Sequence, residues 1–280
     1  MVDLALQRDE FEILRGLIRD HSGIWLNDHQ VRFLALRLKE RMASRGLSSV
    51  RDYVRLLQYD PAGPEEMDRL VDTVAVKETY FFRESDQLFT FRDELLPQIL
   101  TDTGKRGAPE LTLWSCGCST GEEPYSIAML LADVLKGPAA AQVHILATDL
   151  SETVLTFAQQ ALYDSYTLRK EASHYIDTYF HREADGRYRV HERIRRMVRF
   201  ERVNLMDEAA IRAIRNMDGV FCRNVLMYFD QASKERAAAH LYAALKQGGY
   251  ALLWHAESFR WVPMPFEPVR CGDGVVYRKP

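Results

Sequence analysis

Between Leu111 and Ala128 the chain reads LTLWSCGCSTGEEPYSIA. A short apolar run leads into a turn holding Gly117 and Gly121, then into Pro124 and an apolar helical pattern. The run is short enough for a buried strand, and proline is tolerated in a first helical turn. A strand that turns through glycines into a helix opens an α/β unit. The alternation then repeats. QVHILATDL reads as a strand and SETVLTFAQQAL as a helix capped by Ser151. VRFERVNL and GVFCRNVL read as strands, and QASKERAAAHLYAALKQGG as a helix closed by Gly248 and Gly249. YALLWHAE and GVVYRK complete the chain. Such alternation predicts a mostly parallel sheet covered on both faces.

Two regions break the pattern. Before the linker TDTGKRGAPE the chain is helical throughout, with Phe11, Leu14, Leu17 and Ile18, then Val31, Leu34, Ala35, Leu38 and Met42, at helical spacing. The stretch 174–200 alternates in RYRV after a turn at Asp185 and Gly186, which predicts a small antiparallel insertion. The expected organisation is a helical domain over 1–82, a linker helix and loop over 83–110, and an α/β domain over 111–280.

Composition narrows the function. With 280 residues, 47% hydrophobic and 28% charged, the chain can build a sizeable core. A net charge of −3 gives no support to bulk nucleic-acid binding. The N-terminus meets charge too early for a signal peptide, and no apolar run approaches a membrane span. Cys116, Cys118, Cys222 and Cys271 match neither a zinc site nor a CxxC pair. A reduced, cytoplasmic protein without a metal site or membrane insertion is expected.

Gly117-Cys-Ser-Thr-Gly121 fits the G-x-S-x-G elbow of α/β-hydrolases, which makes Ser119 a nucleophile with Asp218 and His255 as partners. That fold places its elbow after several strands and an oxyanion loop, and neither precedes this one. The other reading is a cofactor loop. Glu122 and Glu123 at the helix start would repel phosphate but suit an ammonium or sulfonium group. Asp149, ending the second strand, stands where nucleoside-binding folds place a ribose-hydroxyl acceptor. A nucleoside with cationic chemistry suggests S-adenosylmethionine. Asn204 and Leu205 could border its adenine, while two capping glutamates and a turn aspartate are the bland alternative.

At this point the sequence resembles a known family. VKETYFFRES, WSCGCSTGEEPYSIA, ATDLS, RVNL and CRNVLMYFD look like successive motifs of the chemotaxis receptor methyltransferases, the CheR family. The resemblance spans essentially the whole chain. It implies a helical N-terminal domain followed by a Rossmann-like S-adenosylmethionine-dependent methyltransferase domain. The implied activity is protein-glutamate O-methyltransferase, which converts glutamates on cytoplasmic helices of chemoreceptors to methyl esters in sensory signal transduction and yields S-adenosylhomocysteine. A serine hydrolase using Ser119 and a non-catalytic cofactor-binding regulator are the rival classes.

The resemblance also implies roles. Thr79 and Arg83 would reach the cofactor site, with Gly117 allowing close backbone approach. Glu123, or else Glu122, would take the methionyl amino group. Asp149 would take the ribose hydroxyls, and Asn204 and Leu205 would border adenine. Arg223 and Asn224 complete the cofactor set, and Arg83 and Tyr228 are the expected catalytic residues. Lys77 stands where the family often has asparagine and is placed outside the site. Arg37, Arg41 and Arg45 are expected to dock acidic receptor helices. The compact hairpin, with Gly186 alone, implies independence from a C-terminal pentapeptide tether.

Overall fold

The computed structural model describes residues 6–105, 110–135 and 142–280. Four helices come first: α1 (Arg8–Ser22), α2 (Val31–Ser44), α3 (Val50–Tyr59) and α4 (Gly63–Val74). Their apolar stripes close on one core containing Phe11, Leu14, Ile18, Leu34, Leu38, Tyr53 and Leu70. One charge lies inside it. Glu66 of α4 is 0% exposed and accepts hydrogen bonds from Arg41, Arg45 and Tyr53.

Next come α5 (Ser85–Thr90), a π-helical turn (Phe91–Leu95) and α6 (Leu96–Lys105). The α/β part follows as β1 (Leu111–Cys116), α7 (Glu122–Val134), β2 (Val143–Asp149), α8 (Glu152–Gln160), β3 (Leu162–Tyr163), α9 (Ser173–Tyr179), β4 (Phe180–Arg182), β5 (Tyr188–Val190), α10 (Glu192–Arg195), β6 (Val198–Arg202), α11 (Glu208–Arg212), β7 (Met217–Cys222), α12 (Gln231–Ala244), β8 (Leu245–Leu253), β9 (Glu267–Cys271) and β10 (Gly274–Arg278). The seven-stranded sheet runs β6-β2-β1-β7-β8-β10-β9. Its first five strands are parallel, and β10 and β9 pair antiparallel. β1 is central and buried, as expected for a strand covered on both faces.

A second sheet, β3-β5-β4, is the antiparallel insertion; its first strand, Leu162–Tyr163, lies ahead of the expected span. Two further details differ from the sequence reading. The glycine pair does not close α12, which stops at Ala244, because Gly248 and Gly249 are already within β8. The edge strand β9 was not expected: it is largely exposed and carries Pro268, a residue that sheets confine to edges.

The helical part meets the sheet along one seam. Ile24 bridges Phe229, and Trp25 N–H donates to the Tyr228 carbonyl at 2.8 Å. Asn204 Nδ2 donates to the His21 carbonyl at 2.5 Å, and Ser151 Oγ donates to Asp72.

Candidate functional site

Strands β1, β2 and β7 of a parallel sheet end on the same side, and there the seam opens into a cleft of about 300 Å³. In open α/β sheets, ligands bind beyond the strand C-terminal ends. Gly117, Asp149, Leu205, Asn224 and Tyr228 line the cleft from the sheet side; Trp25 and Val76 line it from the helical side.

The loop after β1 forms as the glycines dictate. Gly117 has φ +73°, and an added Cβ would meet Val225 Cγ2 at 2.5 Å. Gly121 has φ +95°, where a Cβ would meet Ala158 and the Tyr163 hydroxyl oxygen at 2.9 Å. Both conformations strain any L side chain. Ser119, also left-handed at φ +48°, donates its backbone N–H to Asp149 Oδ2 at 2.9 Å and its hydroxyl to the Lys77 carbonyl at 3.0 Å.

No hydrolase triad forms. Asp218 lies near the start of β7, paired with Lys246 at 3.0 Å, at the far end of the sheet from Ser119. His255 pairs with Glu84 at 3.4 Å.

Asp149 accepts N–H groups from Ser119 and Ser151. Burial raises its carboxyl above the ordinary carboxylate range, and those backbone donors oppose the rise. Its two oxygens keep lone pairs for further donors. Asn224 has φ +60°, and its Nδ2 is buried without a partner among the described residues. A buried donor left unpaired is costly, and this one belongs to a residue of the cleft wall. Burial raises the Tyr228 hydroxyl, and the Arg83 cation opposes that shift.

The remaining expected residues stand around the cleft rather than in its wall. Glu123 Oε1 accepts from Ser115 at 2.8 Å, and its Oε2 meets Arg223 Nη1 at 3.1 Å. Glu122 is 1% exposed beneath the loop, bonded to Thr120, and burial pushes its carboxyl up to about 7. Of the two glutamates, Glu123 is the less deeply buried, and neither is in the cleft wall. Arg223 is a brace: it also bonds Gln87 at 2.6 Å and the Arg83 carbonyl at 2.7 Å. Arg83 donates to the Glu78 carbonyl at 2.7 Å, and Thr79 precedes it on the same half-exposed segment. Asn204 spends its amide joining the domains and its carbonyl on Met206 N–H, leaving Leu205 at the cleft.

The arginine row differs from the expectation. Arg41 and Arg45 are consumed by buried Glu66, so they hold the helical core together rather than standing free on a solvated face. Arg37 alone of the row lacks that tie; it is part-buried, its guanidinium over the Phe33 ring and 4.0 Å from Glu40.

Sequence reasoning missed three things. Lys77 does line the cleft, although its Nζ turns to Asp72 at 2.8 Å. The 24–30 segment supplies one wall, which no local motif announces. Glu257, four residues past β8, accepts N–H groups from Asn224 at 3.1 Å, Met227 at 2.9 Å and Trp254 at 3.0 Å. Its one sequence signal is an acid just beyond a strand's C-terminal end.

Glycines that admit close approach, a carboxylate able to accept hydroxyls, an unpaired amide and a second carboxylate nearby fit S-adenosylmethionine. Comparison with known proteins agrees. Residues 77–275 match the CheR methyltransferase, SAM binding domain, and residues 9–75 match the CheR methyltransferase, all-alpha domain. Chemotaxis protein methyltransferase 1 of Pseudomonas aeruginosa is 33% identical over 96% of this chain and 97% of its own. Chemotaxis protein methyltransferase 2 of Vibrio cholerae is 31% identical over 100% and 96%. The chemotaxis protein methyltransferase of Borreliella burgdorferi is 30% identical over 92% and 91%. This chain therefore belongs to the CheR methyltransferase family, and the cofactor of its α/β domain is S-adenosylmethionine.

Proposed function

We propose that the protein methylates glutamate side chains of chemoreceptors, forming glutamyl methyl esters. The observation that carries this reading is the convergence of Asp149, the unpaired Asn224 amide and Tyr228 on one cleft, with Arg83 close enough to bias the Tyr228 hydroxyl. Bound S-adenosylmethionine supplies an electrophilic methyl group on a sulfonium. Asp149 accepts the ribose hydroxyls, Leu205 borders adenine, and Glu123, held by Ser115 and Arg223, takes the amino group. Asn224 donates its free amide into the cleft.

A glutamate acceptor is already ionised at neutral pH, so no strong base is needed. Arg83 holds one acceptor oxygen in the geometry guanidinium offers carboxylates, and Tyr228 orients the other by hydrogen bond. The residues act by positioning and by excluding water. The short 183–187 connection of the small sheet, closed by Glu183 N–H to the Arg187 carbonyl at 2.8 Å, supports action without a pentapeptide tether. No helix among the described residues is long and apolar enough to cross a membrane, in keeping with an enzyme that meets receptors from the cytoplasm.

The test is incubation with methyl-labelled S-adenosylmethionine and receptor-containing membranes. Base-labile label on the receptor, released as methanol, is the expected result; base-stable label would overturn the ester.

A further inference from the structure

The rim beside Arg83 carries a second cation without a counter-charge. Arg169 lays its guanidinium over the Tyr80 ring with Cζ 3.6 Å from the centroid, and Arg83 Cζ stands 6.0 Å from the same centroid. Several other arginines are tied to carboxylates, Arg41 and Arg45 to Glu66, Arg202 to Asp68 and Arg223 to Glu123, while others, such as Arg193 and Arg236, meet backbone carbonyls. Neither Arg83 nor Arg169 has a carboxylate within ion-pair distance among the described residues; Arg83 meets only a backbone carbonyl. The placement is fixed from below. Phe81 N–H donates to the Thr167 carbonyl at 3.0 Å, Phe81 packs edge-on against Tyr163 and Phe180, and Phe82 N–H donates to Ser126.

Two like charges gathered on one ring repel each other, and the π face offsets part of that. Two neighbouring carboxylates, one at each guanidinium, would complete the arrangement. We infer that Arg169, Tyr80 and Arg83 form a docking rim for the acidic helix of the protein substrate, with Arg169 engaging a carboxylate flanking the one to be methylated. The inference rests on the glutamate reading above and adds a recognition element to it. Guanidinium suits this task because it stacks and chelates carboxylate at once, which an ammonium does not.

Methylation of receptor-containing membranes is followed against receptor concentration at low and moderate salt, for wild type, Arg169→Ala, Arg169→Lys and Arg169→Glu. Binding of a glutamate-rich helical peptide is measured in parallel by fluorescence anisotropy, and S-adenosylhomocysteine affinity by calorimetry. Arg169→Ala is expected to raise KM for receptor by roughly three- to tenfold and to flatten the salt dependence. Arg169→Glu should exceed that and Arg169→Lys fall between, with kcat and S-adenosylhomocysteine affinity unchanged. Unchanged KM and peptide affinity in both Arg169→Ala and Arg169→Glu, or parallel loss of S-adenosylhomocysteine affinity, would overturn the rim. Arg169-dependent peptide binding by a wild type that leaves receptors unlabelled would instead sink the glutamate reading and keep the rim.

Discussion

Glu257 accepts the backbone N–H of Asn224 at 3.1 Å, so an acid from beyond β8 fixes a left-handed residue beyond β7. The same carboxylate holds Met227 and Trp254 N–H groups, and it is largely withdrawn from water. Replacing it with alanine strips the partner from the part-buried N–H groups of Asn224 and Trp254, at up to about 1–3 kcal/mol each, and from the exposed Met227 N–H. Glu257→Ala is expected to lower kcat at least about tenfold as the Asn224–Tyr228 loop relaxes. Glu257→Gln should recover only part, because its amide nitrogen faces N–H groups. Steady-state kinetics on both variants decides the matter; wild-type kcat in Glu257→Ala would remove Glu257 from the site's support.

Glu122 gives a pH signature. Its folded carboxyl lies near 7, above the ordinary value of 4.5, because it is buried. A group raised on folding contributes stability fully present below its unfolded pKa and lost as pH rises through its folded pKa. The window is therefore about pH 4.5 to 7, and the loss is on the order of 3 kcal/mol at most. Thermal melts of Glu122→Gln should match wild type near pH 4.5 and exceed it near pH 8. A constant offset at both would exclude this proton.

The helical core rests on a buried acid, Glu66. Glu66→Ala would strand Arg41 and Arg45, and breaking a buried pair costs about 3–5 kcal/mol. A melting temperature lowered by many degrees is expected, whereas Arg37→Glu should melt like wild type. Only Arg37, of the arginine row, then tests receptor docking: its charge reversal should raise KM for receptor and leave cofactor affinity intact.

Ser119 and Asp149 separate the chemistries. Ser119→Ala removes one hydroxyl bond to the Lys77 carbonyl and should keep S-adenosylhomocysteine affinity within a few-fold. Asp149→Ala removes the acceptor that also orders the loop and should cost well over tenfold. Calorimetric titration of both variants compares them, and equal losses would mean that the carboxylate has no special place.

Much of this was legible in the sequence because strand, glycine turn and helix are local signals. Gly117 and Gly121 announce their backbone angles, and Asp149 follows from its place at a strand end. The rest depends on contacts between distant segments. Glu66 reads as one more helix glutamate until α2 and α3 bring Arg41, Arg45 and Tyr53 around it. Glu257 sits beside Asn224 only because β7 and β8 are neighbours. Asn204 looked like an adenine contact because its motif sits at a strand end, yet its amide is drawn away by the His21 carbonyl across the seam. The β9 edge escaped because a short, exposed strand with proline has no buried face to set a period.

The cleft lies along the line where the two folded units meet, and that has a thermodynamic consequence. Trp25 and Val76 from one unit, Asp149 and Asn224 from the other, must be in register before a ligand finds all its contacts. On the proposed site, part of the free energy released by a cofactor bound in the cleft would be docking energy between the units. By linkage, anything that binds the docked arrangement stabilises it by RT ln(1 + [L]/Kd). With the cofactor in this cleft, S-adenosylmethionine would act as a removable adhesive, and a chain cut between the units should lose affinity for a molecule that most of its recognised motif still surrounds.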